Sequence, residues 1–386
     1  MLQTECLLVV LAFCATVDAL STGPAQAPFA SGIHLNPYPG KKRLTFREDG
    51  TFKLTVFSDL HFGENPGDGL GRVKDANSTR AMRVILTDEE PDYVAINGDL
   101  ITGDFTFREN STYLIDQILA PLIAAQVPFS CSHGNHDNHI NITHLEEILR
   151  EQQIAPLSYT RSAPPDVGGV AGPGNYWVPI YAKQSDPAPA LVLWFFDSRG
   201  GVARDGTPLP DWVDASVARW IAQETAVMDA AWGPASARSA IAFVHIPPHA
   251  IQAVQPTIDK RRNPGLDDDN LGGGSVQDSI FDPPSKNARD TPFWDALNRH
   301  VVNLHAVISG HAHGNEWCAR EPAKGVVFCF NKHSGYGGYD SPGWGHGVRN
   351  LVLASPDPRG TVETWIRLES GETRARVLLR EGHIST

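Results

Sequence analysis

The chain has 386 residues, 41% of them hydrophobic, which is enough for a sizeable core and a length that α/β enzymes often use for one catalytic unit. Its formal charge of −12 excludes a generally basic nucleic-acid surface. The same charge would repel anionic substrates unless something local, such as metal ions, reversed the field.

The N-terminus, MLQTECLLVVLAFCATVDAL, reads as a secretory signal: Leu7 to Ala15 is a short apolar run, and Val17, Asp18 and Ala19 offer small residues for cleavage after Ala19. The run is preceded by Glu5 and by no Lys or Arg, and the alternative is a buried N-terminal strand or helix. No later run approaches the roughly 20 apolar residues of a membrane span. The expectation is a secreted or vacuolar protein, with residues 20–386 forming a single domain after a signal peptide at 1–19. Sequons at Asn77, Asn110 and Asn141 offer sites for N-glycans along that route. Loss of the signal leaves Cys131, Cys318 and Cys329. The last two are spaced to close a short loop or hairpin in an oxidising compartment, with Cys131 a buried thiol on a core strand.

Apolar runs then alternate with helix-like segments. FKLTVFSD (Phe52–Asp59) reads as a strand, followed by a helix near Thr79–Glu89 with apolar residues at helical spacing. PDYVAINGD is a second strand, TYLIDQILAPLIAAQ a second helix with a bend expected at Pro121, and VPFSCSHGN a third strand. ALVLWFFDS, a helix capped by Asp211, AIAFVHIPP and LHAVISGHAH come next. The closing segments GVVFCF, VRNLVLAS and TVETWIRL have no helices between them and suggest antiparallel strands. The longest interruption, Pro256–Thr291, is unusual inside a compact domain, where such loops are functional or disordered. The pattern is that of a layered α/β sandwich with two sheets.

The chemistry sits where these strands end. VFSDLHFGE, VAINGDLITGD, FSCSHGNHD, AFVHIPPH and VISGHAHGNE each run from apolar residues into a polar cluster. Strand C-termini in α/β sheets share an edge, so clusters far apart in sequence can converge. In Asp59-Leu60-His61 and His311-Ala312-His313 the side chains at i and i+2 would share a face if the backbone is extended. Gly98, Gly134 and Gly310 precede Asp99, Asn135 and His311, where left-handed dihedrals are expected to demand glycine. Mixed imidazole, carboxylate and amide groups suit Zn, Fe or Mn. Asp59, His61, Asp99, Asn135, His245, His311 and His313 outnumber the ligands one four-coordinate ion needs, so two ions sharing a carboxylate is the economical arrangement. His133 and His139 read as polar loop residues, and His249 as the same or as a residue facing the substrate.

The order D-x-H, G-D, G-N-H-D, a lone His after a strand, and G-H-x-H resembles the calcineurin-like metallophosphoesterases from about Leu54 to Leu353. ISGHAHGNEWC, the later CF and GYGGYDSPGWGHGVRN are similar to a plant and fungal branch labelled purple-acid-phosphatase-like. The resemblance implies an α/β/β/α sandwich of two mixed sheets with a dinuclear metal site at the strand ends. It implies one ion on Asp59, His61, Asp99 and His313, and another on Asp99, Asn135, His245 and His311, with Asp99 bridging. It further implies His136 as the catalytic histidine and Asp137 as its orienting partner. Purple acid phosphatases carry D-x-G at the first motif and a tyrosine three residues after the bridging aspartate. Those places hold His61 and Thr102 here, so the tyrosinate–iron colour is not expected.

The implied activity is hydrolysis of phosphate esters, phosphomonoesters foremost, by a hydroxide bridging two ions of Mn, Fe or Zn, with His136 assisting the leaving group. The alternatives are a phosphodiesterase acting on nucleotides or lipid headgroups, and a non-catalytic binding protein on the same fold. Tyr336, Tyr339, Trp344 and His346, in a Gly-rich segment after the last motif, are expected to rim the pocket or pack beneath a loop.

Overall fold

The computed structural model describes residues 35–67, 69–109, 111–279, 288–380 and 383–385. The signal segment 1–19 and the sequon residue Asn110 lie outside the described residues. His34–Thr386 forms one compact unit.

Two seven-stranded sheets make up its centre. The strands are β1 (Leu44–Thr45), β2 (Phe52–Phe57), β3 (Tyr93–Asn97), β4 (Phe129–Ser132), β5 (Tyr176–Tyr181), β6 (Leu191–Phe196) and β7 (Ser239–Val244). They continue as β8 (Leu304–Ser309), β9 (Cys318–Arg320), β10 (Val327–Phe330), β11 (Gly347–Leu353), β12 (Val362–Leu368), β13 (Thr373–Arg380) and β14 (His383–Ser385). One sheet runs β1-β5-β6-β7-β8-β10-β9 and the other β14-β13-β12-β11-β2-β3-β4. Both are mixed: β2, β3 and β4 are parallel while β11 to β14 are antiparallel, and β6, β7, β8 and β10 are parallel, with β5 antiparallel to β6 but parallel to β1 and β9 antiparallel to β10.

The uninterrupted apolar strands of the sequence follow from where their two faces go. Successive residues of a strand point to opposite faces. Leu193 and Phe195 of β6, with Ile241 and Phe243 of β7, meet Leu54, Val56 and Ala95 of the other sheet in a core between the sheets. The alternating residues Trp194, Phe196, Ala242 and Val244 pack outward against helices α4 (Ala215–Trp232) and α5 (Thr291–His300). On the other side Val94 and Ile96 pack against α1 (Leu70–Glu89) and α2 (Ser111–Ala125). Both faces of the inner strands are therefore buried, and the layers are α/β/β/α.

Three details differ from the sequence expectation. α1 starts nine residues before Thr79, at Leu70. The cap of α4 is Asp214, whose carboxylate accepts from Ser216 N–H at 2.9 Å, not Asp211. Helix α3 (His144–Ile154) follows the GNHD loop directly, capped by Thr143 with Glu146 reaching back to the Thr143 N–H at 3.0 Å. Cys318 and Cys329 are register partners on β9 and β10 and form a disulfide; Cys131 is a buried free thiol on β4. Among the described residues no helix is long and apolar enough to cross a membrane.

Candidate metal centre

The C-terminal ends of β2, β3, β4, β7 and β8 bring the predicted donors to one place. The chains leaving β2 and β3 zip together, with Asp59 N–H donating to Gly98 O at 3.0 Å and His61 N–H to Asp99 O at 3.0 Å. Gly310 N–H donates to His245 O at 3.1 Å, and His311 N–H to Asp59 Oδ1 at 2.9 Å, which joins the two sheets at this edge. Buried Asn97 strengthens the junction: its amide donates to Ile308 O at 3.0 Å, and its own carbonyl accepts from His245 Nδ1 at 2.8 Å.

The pairs at i and i+2 do not converge by strand pleating. Asp59, His61, Asp99 and His311 themselves adopt left-handed backbone, with φ of 53°, 49°, 50° and 72°. Such dihedrals are costly for these residues and persist where surrounding structure over-determines them. Gly98 shares the left-handed conformation, at φ 86°. Gly134 does not, at φ −112°, and Gly310 is not among the residues of positive φ. Close approach is what these two require: a Cβ on Gly134 would lie 2.3 Å from Asp99 Oδ1, and one on Gly310 would lie 2.7 Å from Asp59 Oδ2.

Two neighbouring sets of donors result. Asp59, His61 and His313 form one group whose ligand atoms could hold an ion, and Asp99, His245 and His311 form another. His311 and His313 thus serve different groups. Asp99 Oδ2 stands between them, 3.6 Å from His61 Nε2 and 3.0 Å from His245 Nε2. Each imidazole is oriented through its other nitrogen. His61 Nδ1 faces Thr102 Oγ1 at 3.1 Å, His245 Nδ1 donates to Asn97 O, and His313 Nδ1 donates to Tyr339 O at 2.7 Å. His311 is reversed, with Nε2 donating to Gly274 O at 2.8 Å and Nδ1 left for the centre. His61 Nε2, His245 Nε2 and Asn135 Oδ1 are buried without a hydrogen-bond partner. Burial of such atoms is costly unless something pairs with them, and tethering of the second ring nitrogen is how metal-ligating histidines are held.

The electrostatics agree at His61 and His311. Burial lowers the pKa of His61 to about 3 and that of His311 to about 4, keeping both rings neutral as ligands must be. Burial also works against a charge on His245, but Asp99 and Asp59 outweigh it and raise its pKa to about 10. The buried carboxylates call for positive charge.

His136 lies over this centre, its ring 5.0 Å from that of His61. Its partner differs from the expected one. Asp137 is fully buried, and its two oxygens accept from Ile101 N–H at 3.0 Å and Gly134 N–H at 2.8 Å, stapling the loop to the end of β3. The carboxylate beside the His136 ring is Asp104, with Oδ2 3.5 Å from Nδ1. Asp104 also takes His139, Nε2 to Oδ1 at 2.9 Å. His133 is not a polar loop residue: it is fully buried and stacks on His144 at 5.1 Å. The cavity above the donors holds about 360 Å³ and is lined by His61, Glu64, Asp104, Phe105, His136 and Tyr339.

The sequence signature of the calcineurin-like phosphoesterases matches residues 52–315, which spans every donor named above. The chain belongs to the calcineurin-like phosphoesterase family. Within it, the chain is 28% identical over 350 residues to probable inactive purple acid phosphatase 28 of Arabidopsis thaliana, covering 84% of this chain and 82% of that protein. It is 26% identical over 295 residues to phosphatase DCR2 of Saccharomyces cerevisiae, covering 73% of this chain and 47% of that one. A dimetal phosphatase from Danio rerio has a similar fold, with a TM-score of 0.51 at 14% identity over 86% of this chain and 99% of that one.

Several members of this phosphoesterase site are backbone groups or distant side chains. The segment after Pro256 supplies Gly274 O to His311 and Asp269 Oδ2 to Gly314 N–H at 2.8 Å. The described part of that long interruption around Asp269 and Gly274 is therefore packed into the wall of the site. Tyr339 lies flat on His313, ring centroids 4.1 Å apart, which fits the expected rim position; Trp344 Nε1 donates to Asp268 Oδ2 at 2.9 Å. Of the sequons, Asn77 falls within α1, and Asn141 Nδ2 donates to Thr106 O at 2.6 Å.

Proposed function

We propose that this phosphoesterase hydrolyses phosphomonoesters at two metal ions of Mn, Fe or Zn. Asp59, His61 and His313 would hold one ion, Asn135, His245 and His311 the other, and Asp99 both. The observation that carries the reading is the tethering of one ring nitrogen in each of four histidines, His61, His245, His311 and His313, together with the orphaned ligand atoms of His61, His245 and Asn135. When bound, the ions supply an activated water and neutralise charge on the phosphoryl oxygens.

The protein's own residues do the rest. Asp99 is fixed by His136 N–H at 2.9 Å to Oδ1, leaving Oδ2 toward His61 and His245. His136 presents its imidazole to the cavity, and with Asp104 behind Nδ1 it is kept protonated at Nε2, where it can give a proton to the departing ester oxygen. Burial opposes the charge, but Asp99 and Asp104 dominate and raise the His136 pKa to about 9. Asp137 positions the loop that carries both Asn135 and His136.

The relatives whose names carry the word inactive favour one other reading, a binding protein that does not turn over. The complete donor set here supports turnover. The disulfide supports an oxidising compartment, secreted or vacuolar.

The test is hydrolysis of a matched chromogenic monoester and diester after reconstitution with Mn, Zn or Fe, with Asp99→Ala as control. Metal-dependent monoester turnover absent in the variant is expected. Diester preference would reassign the substrate class, and no turnover by protein that has bound both ions would support the binding protein.

A further inference from the structure

Beyond the dinuclear cluster, the Gly-rich segment after β10 gathers His333, Asp340 and His346. His333 is 1% exposed, and its Nε2 is buried with no hydrogen-bond partner. That nitrogen faces Asp340 Oδ1 at 3.5 Å, while His346 Nε2 faces the other oxygen of the same carboxylate, also at 3.5 Å. The two rings meet edge to face with centroids 4.9 Å apart, and the three ligand atoms all lie within 4.8 Å of one another.

These separations are too long for good hydrogen bonds. They suit a cation instead, because ligand atoms around a tetrahedral ion with bonds of about 2.0–2.1 Å stand roughly 3.3–3.4 Å apart. We propose that His333, Asp340 and His346 form a third, mononuclear site for a divalent transition ion, zinc best matching two imidazoles and a carboxylate. The Asp340 side chain, 41% exposed, is the solvent-facing lip and leaves a fourth position open to water.

The surroundings fit that role. His333 Nδ1 lies 3.3 Å from His313 O, so an Nδ1–H donated there frees Nε2 for the ion. Lys332 Nζ competes for the same nitrogen at 2.9 Å, but it can turn to Glu316 Oε1 at 3.3 Å. His333 also stacks on His313, 5.1 Å between centroids and 11° between planes. An ion at this position would brace the outer wall of the dinuclear centre, although its binding does not depend on the reaction proposed above.

Metal content decides the matter. Full-length protein is stripped, reloaded with zinc, desalted and measured for zinc per chain, alongside an Asp340→Ala, His346→Ala double variant checked for folding by circular dichroism. Wild type is expected to hold three ions and the variant two; ions bound adventitiously elsewhere cancel in the comparison. Should the double variant not fold, Asp340→Asn, at the exposed lip, carries the same comparison. In the other direction, Asp99→Ala should retain one ion and lose it when Asp340→Ala is added. A zinc count that does not fall by one on loss of Asp340 overturns the third site, whatever the dinuclear pair holds.

Discussion

Asp104 holds two histidines at once: its Oδ2 is 3.5 Å from His136 Nδ1, and its Oδ1 is 2.9 Å from His139 Nε2. A carboxylate behind the proposed acid favours the charged imidazole, so its removal must make His136 easier to deprotonate. Asp104→Asn is expected to lower turnover by about tenfold and to move the alkaline limb of the kcat/KM profile to lower pH. His136→Ala should cost about 10²–10⁴-fold while keeping the metals. In the double variant the Asp104 effect should vanish. Additive losses would show that Asp104 acts by some route other than His136.

Gly134 tests how tightly the loop presses on the bridging carboxylate. A Cβ there would lie 2.3 Å from Asp99 Oδ1 and 2.6 Å from Asp99 N, the second being backbone that cannot swing away. Gly134→Ala is expected to cost about 1–3 kcal/mol and to reduce the metal content of the dinuclear centre. Gly40→Ala, where a Cβ meets nothing within 4 Å, should stay within about 0.5 kcal/mol of wild type. Thermal melts and metal analysis check both, and a Gly134→Ala protein that matches the Gly40 control would refute the close-approach argument.

Legibility in the sequence followed physical distance along the chain. Strands β2, β3, β6, β7 and β8 could be read because each buries both faces and so is written as an unbroken apolar run. β5 escaped, its YWVPIY carrying Pro179 in the middle. The donors were legible because each closes such a run. Asp104 was not, since its meeting with His136 depends on two short 3₁₀ turns, Gly103–Phe105 and Asn135–Asp137, packing together. Gly274 could not be found at all, because its contribution is a backbone carbonyl. Helix α3 carried a readable signal, the T-x-x-E capping box Thr143–Glu146.

Glu316 anchors a buried charge cluster beneath the Gly-rich segment. Its Oε1 lies 3.3 Å from Lys332 Nζ, both side chains fully buried, and its Oε2 accepts from Arg374 Nε at 2.8 Å. Burial chiefly lowers the Lys332 pKa, to about 8, and Glu316 works against that fall. Glu316→Ala strands a buried ammonium and is expected to cost about 3–5 kcal/mol in urea unfolding, whereas Glu316→Leu with Lys332→Met should recover most of it. A single-variant loss under about 1 kcal/mol would mean that water reaches Lys332.

Glu151 gives a pH dependence through a carboxyl group that is not among the proposed metal donors. It is 1% exposed, and Oε1 accepts from the Ser158 and Thr160 hydroxyls, each at 2.5 Å. Burial raises its pKa to about 7, prevailing over those hydrogen bonds. Unfolded, the group titrates near 4.3. Between these values the unfolded chain has released a proton that the folded chain keeps, so stability falls as pH rises. The contribution is fully present below the unfolded value and is lost as pH rises through about 7; it is worth on the order of 3 kcal/mol. Glu151→Gln cannot titrate, so its stability relative to wild type should improve from pH 5 to pH 8. Melting temperatures of the two proteins at both pH values measure this, and a difference that does not change with pH would show that Glu151 is ionised in the folded protein throughout.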